Sequence, residues 1–169
     1  MIRLATAADA VSLLALQRRL DAQSAFMLLE PDERPNDARR LEQRLRAQGP
    51  SGSFDLVAHR EDGLVGWLAV EVAPYRRARH VGYIVLGVDA AEGGRGIGRS
   101  LLREAVAEAT RRELRRLELT VMTDNLRAVG LYLSEGFQVE GLRRAAVIRD
   151  GLVVDEYYMA RTGGVTTRP

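Results

Sequence analysis

Two rhythms of apolar positions run through the chain. Some stretches are short continuous or alternating apolar runs, the mark of strands; in others apolar residues return every three or four positions, the mark of amphipathic helices. Residues 2–5 predict a first strand. Thr6-Ala-Ala-Asp9 reads as a capping box with Asp in place of Glu, opening a helix whose apolar positions are Val11, Leu14, Leu16 and Leu20. Asn36 is expected to cap a second helix through Gln48, strongly charged and surface-facing. After a Gly-Pro-Ser-Gly-Ser loop at 49–53, strands over 54–59 and 64–73 flank a hairpin turn at Glu61-Asp62-Gly63, the second strand carrying the only tryptophan, Trp67. Residues 81–88 form a short apolar run bounded by turn formers, so they predict a buried strand. A glycine-dense turn follows, then a helix marked by Ile97, Leu101, Leu102, Ala105, Val106 and Ala109. Another strand holds Glu118, and a helix runs from a cap at Asp124 or Asn125 to a stop at Gly136. Strands at 137–141, 145–149 and 153–159 close the chain, the last two around an Asp150-Gly151 turn, before a tail at 163–169. His59 and His80 both read as strand residues. This order predicts an α/β fold, one domain over residues 1–162, with a mixed sheet and helices on both faces.

Composition narrows the chemistry. At 169 residues the chain is long enough to bury a core without staples. It has no cysteine, which removes disulfides, a thiolate nucleophile and any Cys-based metal site, and its two histidines lie far apart, so no metal centre is expected. No long apolar run or N-terminal signal pattern stands out; the expectation is a cytoplasmic protein without a membrane span. All 25 basic residues are arginine, yet 23 acids interleave with them and the net charge is only +2. With aromatics at 5%, that pattern argues against a nucleic-acid binder, whose basic residues gather on one face. Arg111, Arg112, Arg115 and Arg116 fall at a predicted helix end, where cations offset the dipole.

The glycine turn carries the first chemical signal. Gly93, Gly94, Gly96 and Gly98 lie between a strand and a helix, an arrangement that aims bare N–H groups and a positive helix end at phosphate. A dinucleotide turn fails because Arg99 stands where its third glycine belongs. A triphosphate loop from Gly93 to Ser100 has Arg99 in place of the lysine, and the chain contains no lysine at all. A third pattern, Arg or Gln followed by x-x-G-x-G/A, fits 93–98 except at its first position, Gly93.

One strand later comes Asn125-x-x-Ala128-x-x-Leu-Tyr132-x-x-x-Gly136-Phe137. At 100° per residue, Asn125, Ala128 and Tyr132 share a narrow helix face, which suits a groove for a chain-like ligand. The same three residues equally read as a cap, a packing alanine and a core tyrosine. The two linked motifs resemble those of the GNAT superfamily of acetyl-CoA-dependent N-acetyltransferases, over roughly residues 54–160. The resemblance implies a mostly antiparallel seven-stranded sheet whose fourth and fifth strands splay apart. It implies acetyl-CoA as co-substrate, with the diphosphate held by Gly94, Arg95, Gly96, Ile97, Gly98 and Arg99. Leu86, Gly87 and Val88 would align the pantetheine arm, with a bulge expected at Gly87. Asn125 and Ala128 would line the same groove, and Tyr132 would protonate the departing thiolate.

Many relatives carry a carboxylate on the organising strand or the next, where this chain has Tyr83 and Thr120. Deprotonation of the amine would then pass through water to Glu30, Glu33, Glu71 or Glu118. The family's helix pair covers the acceptor pocket, which would put Phe26-Met-Leu-Leu29 and the following acids there. The chain's C-terminal third looks like that of small bacterial enzymes acting on free amino acids, so a small-molecule amine is the expected acceptor, with a protein lysine or N-terminus as rival. A non-catalytic acyl-CoA-binding module is the alternative from another class. The family's strand edges imply a homodimer.

Overall fold

The computed structural model describes residues 1–49 and 52–163. Part of the loop expected at 49–53 and nearly all of the expected tail lie outside the described residues. Seven strands form one sheet: β1 (Ile2–Leu4), β2 (Phe54–Arg60), β3 (Gly63–Val72), β4 (Val81–Val88), β5 (Arg116–Met122), β6 (Gln138–Arg149) and β7 (Leu152–Thr162). The helices are α1 (Ala10–Gln23), α2 (Ala38–Arg46), α3 (Ile97–Arg111) and α4 (Leu126–Ser134). The spatial order is β1-β2-β3-β4-β5-β7-β6, antiparallel except where β4 meets β5. A parallel neighbour needs a crossover, which α3 supplies.

Each face of the sheet has its own core. On one face α3 and α4 bury Ile97, Leu101, Leu102, Ala105 and Tyr132 against Phe54, Leu68, Ile84, Leu119 and Phe137. On the other, α1 and α2 bury Leu13, Leu16, Leu20, Leu41 and Leu45 against Val57, Trp67 and Ala69. Two helix readings shift accordingly. Val11 is exposed and Leu13 fully buried, so the inward stripe of α1 is set by where the sheet lies. The α2 cap is Asp37, whose carboxylate accepts from Arg39 N–H at 3.0 Å, and α2 keeps Leu41 and Leu45 inside despite its charge.

Three further expectations change. The two strands expected at 137–141 and 145–149 are one strand, β6, bent by irregularities near Gly141 and between Arg143 and Val147. Ala145 adopts φ 50° there, and its N–H donates to the Asp155 carboxylate at 2.8 Å. His80 lies in the turn before β4, not in a strand. Gly87 sits in an unbroken β3–β4 register, not at a bulge. The reason for glycine is space: a Cβ at residue 87 would come within 2.6 Å of Leu20 Cδ1.

Charged residues brace the helices. Asp9 accepts from both terminal guanidinium nitrogens of Arg3 and from Thr6 N–H at 2.8 Å, which holds its carboxyl well below the usual range. Asp55 is fully buried, takes Arg44 as a bidentate partner at 2.8 and 2.9 Å and Trp67 Nε1–H at 2.6 Å, and is also bonded by Gln48. This carboxylate ties α2 to β2 and β3. Removing it leaves a buried indole N–H and a guanidinium without their acceptor, a change that costs about 3–5 kcal/mol in buried pairs. Asp55→Ala is therefore expected to lose about 3 kcal/mol, since Arg44 can turn to water. A urea unfolding curve checks this, and a loss below about 1 kcal/mol contradicts the brace.

Candidate active site

The parallel pairing of β4 and β5 covers only Val81↔Arg116, Gly82↔Leu117 and Tyr83↔Glu118. Beyond it β4 stays with β3 as far as Gly66↔Val88, while β5 follows β7 as far as Met122↔Glu156. The two strands therefore diverge, and the gap opens into a cavity of about 900 Å³. Backbone N–H and C=O groups facing such a gap lack ladder partners, so a ligand with an amide backbone of its own can take them.

At one end of the cavity is the glycine turn. Gly94 and Gly96 adopt φ 81° and 77°, the left-handed region that only glycine enters cheaply. Gly96 serves as the α3 cap and accepts the first helical bond, from Ser100 N–H at 3.0 Å. The amides of Ile97, Gly98 and Arg99 precede that bond and have no acceptor among the described residues. Gly94, Gly96, Ile97, Gly98 and Arg99 all line the cavity. Arg95 does not; its guanidinium donates to Glu92 at 3.0 Å. Arg127 does line it, a residue that motif reading passed over because it falls in an x position.

The walls are β4 and α4. Leu86, Gly87 and Val88 line one side, with Asn125, Ala128 and Tyr132 opposite. Asn125 is the α4 cap, accepting from Ala128 N–H at 3.2 Å, so one residue satisfies both readings made of it: cap and cavity wall. Tyr132 is buried, packs its ring 5.8 Å from that of Phe137, and also borders the cavity. Burial, and to a lesser degree the nearby Tyr83, pushes its phenol far above the ordinary value.

At the other end the gap reaches the α1–α2 side of the sheet. Tyr83 and Thr120 stand on either side of the point where the strands part, their hydroxyl oxygens 2.8 Å apart. Phe26, Met27 and Leu28, from the segment after α1, line this end, while Leu29 borders an adjoining hollow. Arg34 holds the segment down through Gln17 and the buried Asp21. The acids of the segment are not in the main cavity: Glu30 borders an adjoining hollow of about 260 Å³, and Glu33 accepts from Glu30 N–H at 2.9 Å. The charged pair in the main cavity is instead Arg143 Nη1 donating to Glu156 Oε2 at 2.6 Å. Both were missed. An acid in the apolar run of β7 was a usable signal for Glu156, whereas Arg143 is brought over by the bend of β6.

This cradle, split sheet and polar far end are the candidate active site of a transferase. The sequence matches the acetyltransferase (GNAT) family over residues 19–137, and the chain belongs to that family. It is 38% identical over 112 residues to the L-amino acid N-acetyltransferase AaaT of Escherichia coli K12, covering 65% of this chain and 68% of that protein. The crystal structure of a GNAT-family acetyltransferase from Streptococcus pneumoniae matches with a TM-score of 0.91 and 29% identity over 96% of this chain and 98% of that one. A phosphinothricin acetyltransferase from Sinorhizobium meliloti, solved with acetyl-CoA bound, matches with a TM-score of 0.85 and 25% identity over 100% and 92%.

The raised Tyr132 phenol makes an alkaline prediction. The folded protein keeps this proton where an unfolded phenol loses it, near ~10. Its contribution to stability is therefore whole below that pH and declines as pH rises beyond it. Tyr132→Phe is expected to flatten the decline, measured as urea midpoints between about pH 8 and about pH 11. An unchanged slope contradicts the assignment.

Proposed function

We propose that the protein transfers the acetyl group of acetyl-CoA directly to the amine of a small acceptor, a free amino acid. The observation that carries this reading is one continuous cavity with bare helix-end amides at one end and Arg143 at the other. Arg143 spends one nitrogen on Glu156; Nε and Nη2 have no acceptor among the described residues, a fork suited to a carboxylate. The name of the Escherichia coli relative supports the same acceptor class.

In this reading the glycine-turn amides and the α3 dipole hold the diphosphate, and the pantetheine arm lies along Leu86, Gly87 and Val88 in the gap. A β4 N–H near Leu86 polarises the thioester oxygen. The amine nitrogen attacks the thioester carbon, a C–N bond forms, and the C–S bond breaks with its electron pair leaving on sulfur. The amine's proton passes to water beside Tyr83 and Thr120. Tyr132 donates its phenolic proton to the thiolate and recovers one from solvent. A free thiol titrates near ~8.5 and a phenol near ~10, so that transfer is uphill by only about 2 kcal/mol. Burial raises the phenol, and it raises a thiolate formed in the same site for the same reason, so the difference stays modest.

A thiol-release screen with acetyl-CoA against amino acids, their α-amides, polyamines and peptides tests the function. Turnover is expected with amino acids and is expected to be much weaker with α-amides. Preference for peptides would replace the acceptor with a protein amine; acetyl-CoA binding without thiol release on any amine would make the protein a binding module. Arg143→Gln should raise KM for the amino acid about 10- to 100-fold, the worth of a hydrogen bond to a charged group, with KM for acetyl-CoA little changed. Equal loss for amino acid and amide would contradict carboxylate recognition. Tyr132→Phe should lower kcat roughly 10²-fold, as expected for loss of a general acid, and an effect below a few-fold removes it from that role.

A further inference from the structure

The glycine turn departs from the family pattern at Gly93, where the pattern has Arg or Gln. Backbone conformation does not require glycine there: φ −59° and ψ 142° suit any residue. Space does. A Cβ at residue 93 would stand 3.0 Å from the Ala90 carbonyl oxygen and 3.3 and 3.6 Å from the two terminal nitrogens of Arg127. The guanidinium of Arg127 thus lies against the position that a side chain at residue 93 would take.

We infer that Arg127 supplies, from the first turn of α4, the cation that holds the diphosphate of the bound acyl-CoA, in place of a side chain at Gly93. Three observations support it besides the distances. Arg127 borders the cavity together with Gly93, Gly94, Gly96 and Gly98. The arginines around it are spoken for: Arg60 and Arg95 lie against Glu92, while Arg99 and Arg103 pair with Glu135. Arg127 has no acidic partner among the described residues, although it is exposed enough to find one. Its place on α4 is also unfavourable for the helix, since a cation in the first turn opposes the dipole. An unpaired guanidinium at the positive end of one helix, directed at the turn before another, suits an anion lodged between them.

This inference rests on the acetyl-CoA reading and needs a test that separates the two. Dephospho-CoA keeps the diphosphate and lacks the 3′-phosphate; S-acetylpantetheine keeps the thioester arm and lacks the diphosphate. In the full-length protein, Arg127→Met is expected to weaken dephospho-CoA binding by calorimetry about 10- to 100-fold and to reduce its dependence on ionic strength. KM for S-acetylpantetheine should stay within about twofold, and Arg127→Lys should keep part of the affinity. Dephospho-CoA affinity within twofold of the unsubstituted protein overturns the inference. So does an equal loss with S-acetylpantetheine, which would mark Arg127 as a structural residue. If the unsubstituted protein binds neither CoA nor dephospho-CoA, the transferase reading falls and this inference with it.

Discussion

The constraint on which the rest depends is the short parallel ladder between β4 and β5. Three residue pairs join the strands, and then each is committed to its other neighbour. β4 remains with β3, and β5 remains with β7. The sheet is thus split from inside, without any need for an irregular loop, and both lips of the split are rigid strand backbone. A gap of this kind leaves polar backbone groups without sheet partners, which a structure retains only where water or a ligand can satisfy them. The helices α3 and α4 sit over the same gap and present their N-terminal ends and the Tyr132 phenol to it. In the proposed reading, diphosphate, amide-bearing arm and thioester are met in order along one direction.

Much of this was legible in the sequence because the relevant signals are local. The glycine density after an apolar run marks a tight turn, and the left-handed conformations of Gly94 and Gly96 show why those residues are glycine. The spacing of Asn125, Ala128 and Tyr132 puts them on one helix face, and all three border the cavity. The less legible features depend on neighbours that are remote in the chain. Leu13 rather than Val11 is buried because of how α1 lies on the sheet, and Gly87 is small because Leu20 descends on it. Arg95 looked suited to the anion from its place inside the turn, but it pairs with Glu92 and does not border the cavity, while Arg127 comes in from another helix.

Charge follows the same division. The arginines outnumber the acids by two, and the structure accounts for most of the acids around the glycine turn by pairing them with the arginines of the outer surface. Arg112, which the sequence placed at a helix end, stacks on Phe54 at 4.6 Å and bonds to Glu108 at 2.6 Å and to the Gly49 carbonyl at 2.7 Å. It braces a helix end. Among the described residues the guanidinium groups that border the cavity are Arg99, which is paired with Glu135, Arg127 near the glycine turn, and Arg143 beside Glu156.

The most direct test of the split sheet as a tether site is hydrogen exchange resolved to single amides, with and without acetyl-CoA. The account predicts slowed exchange at the glycine-turn amides of 94–99 and at those β4 amides beyond Tyr83 that β3 does not take. Slowing confined to other strands, or none along this lip while acetyl-CoA is bound, would contradict it.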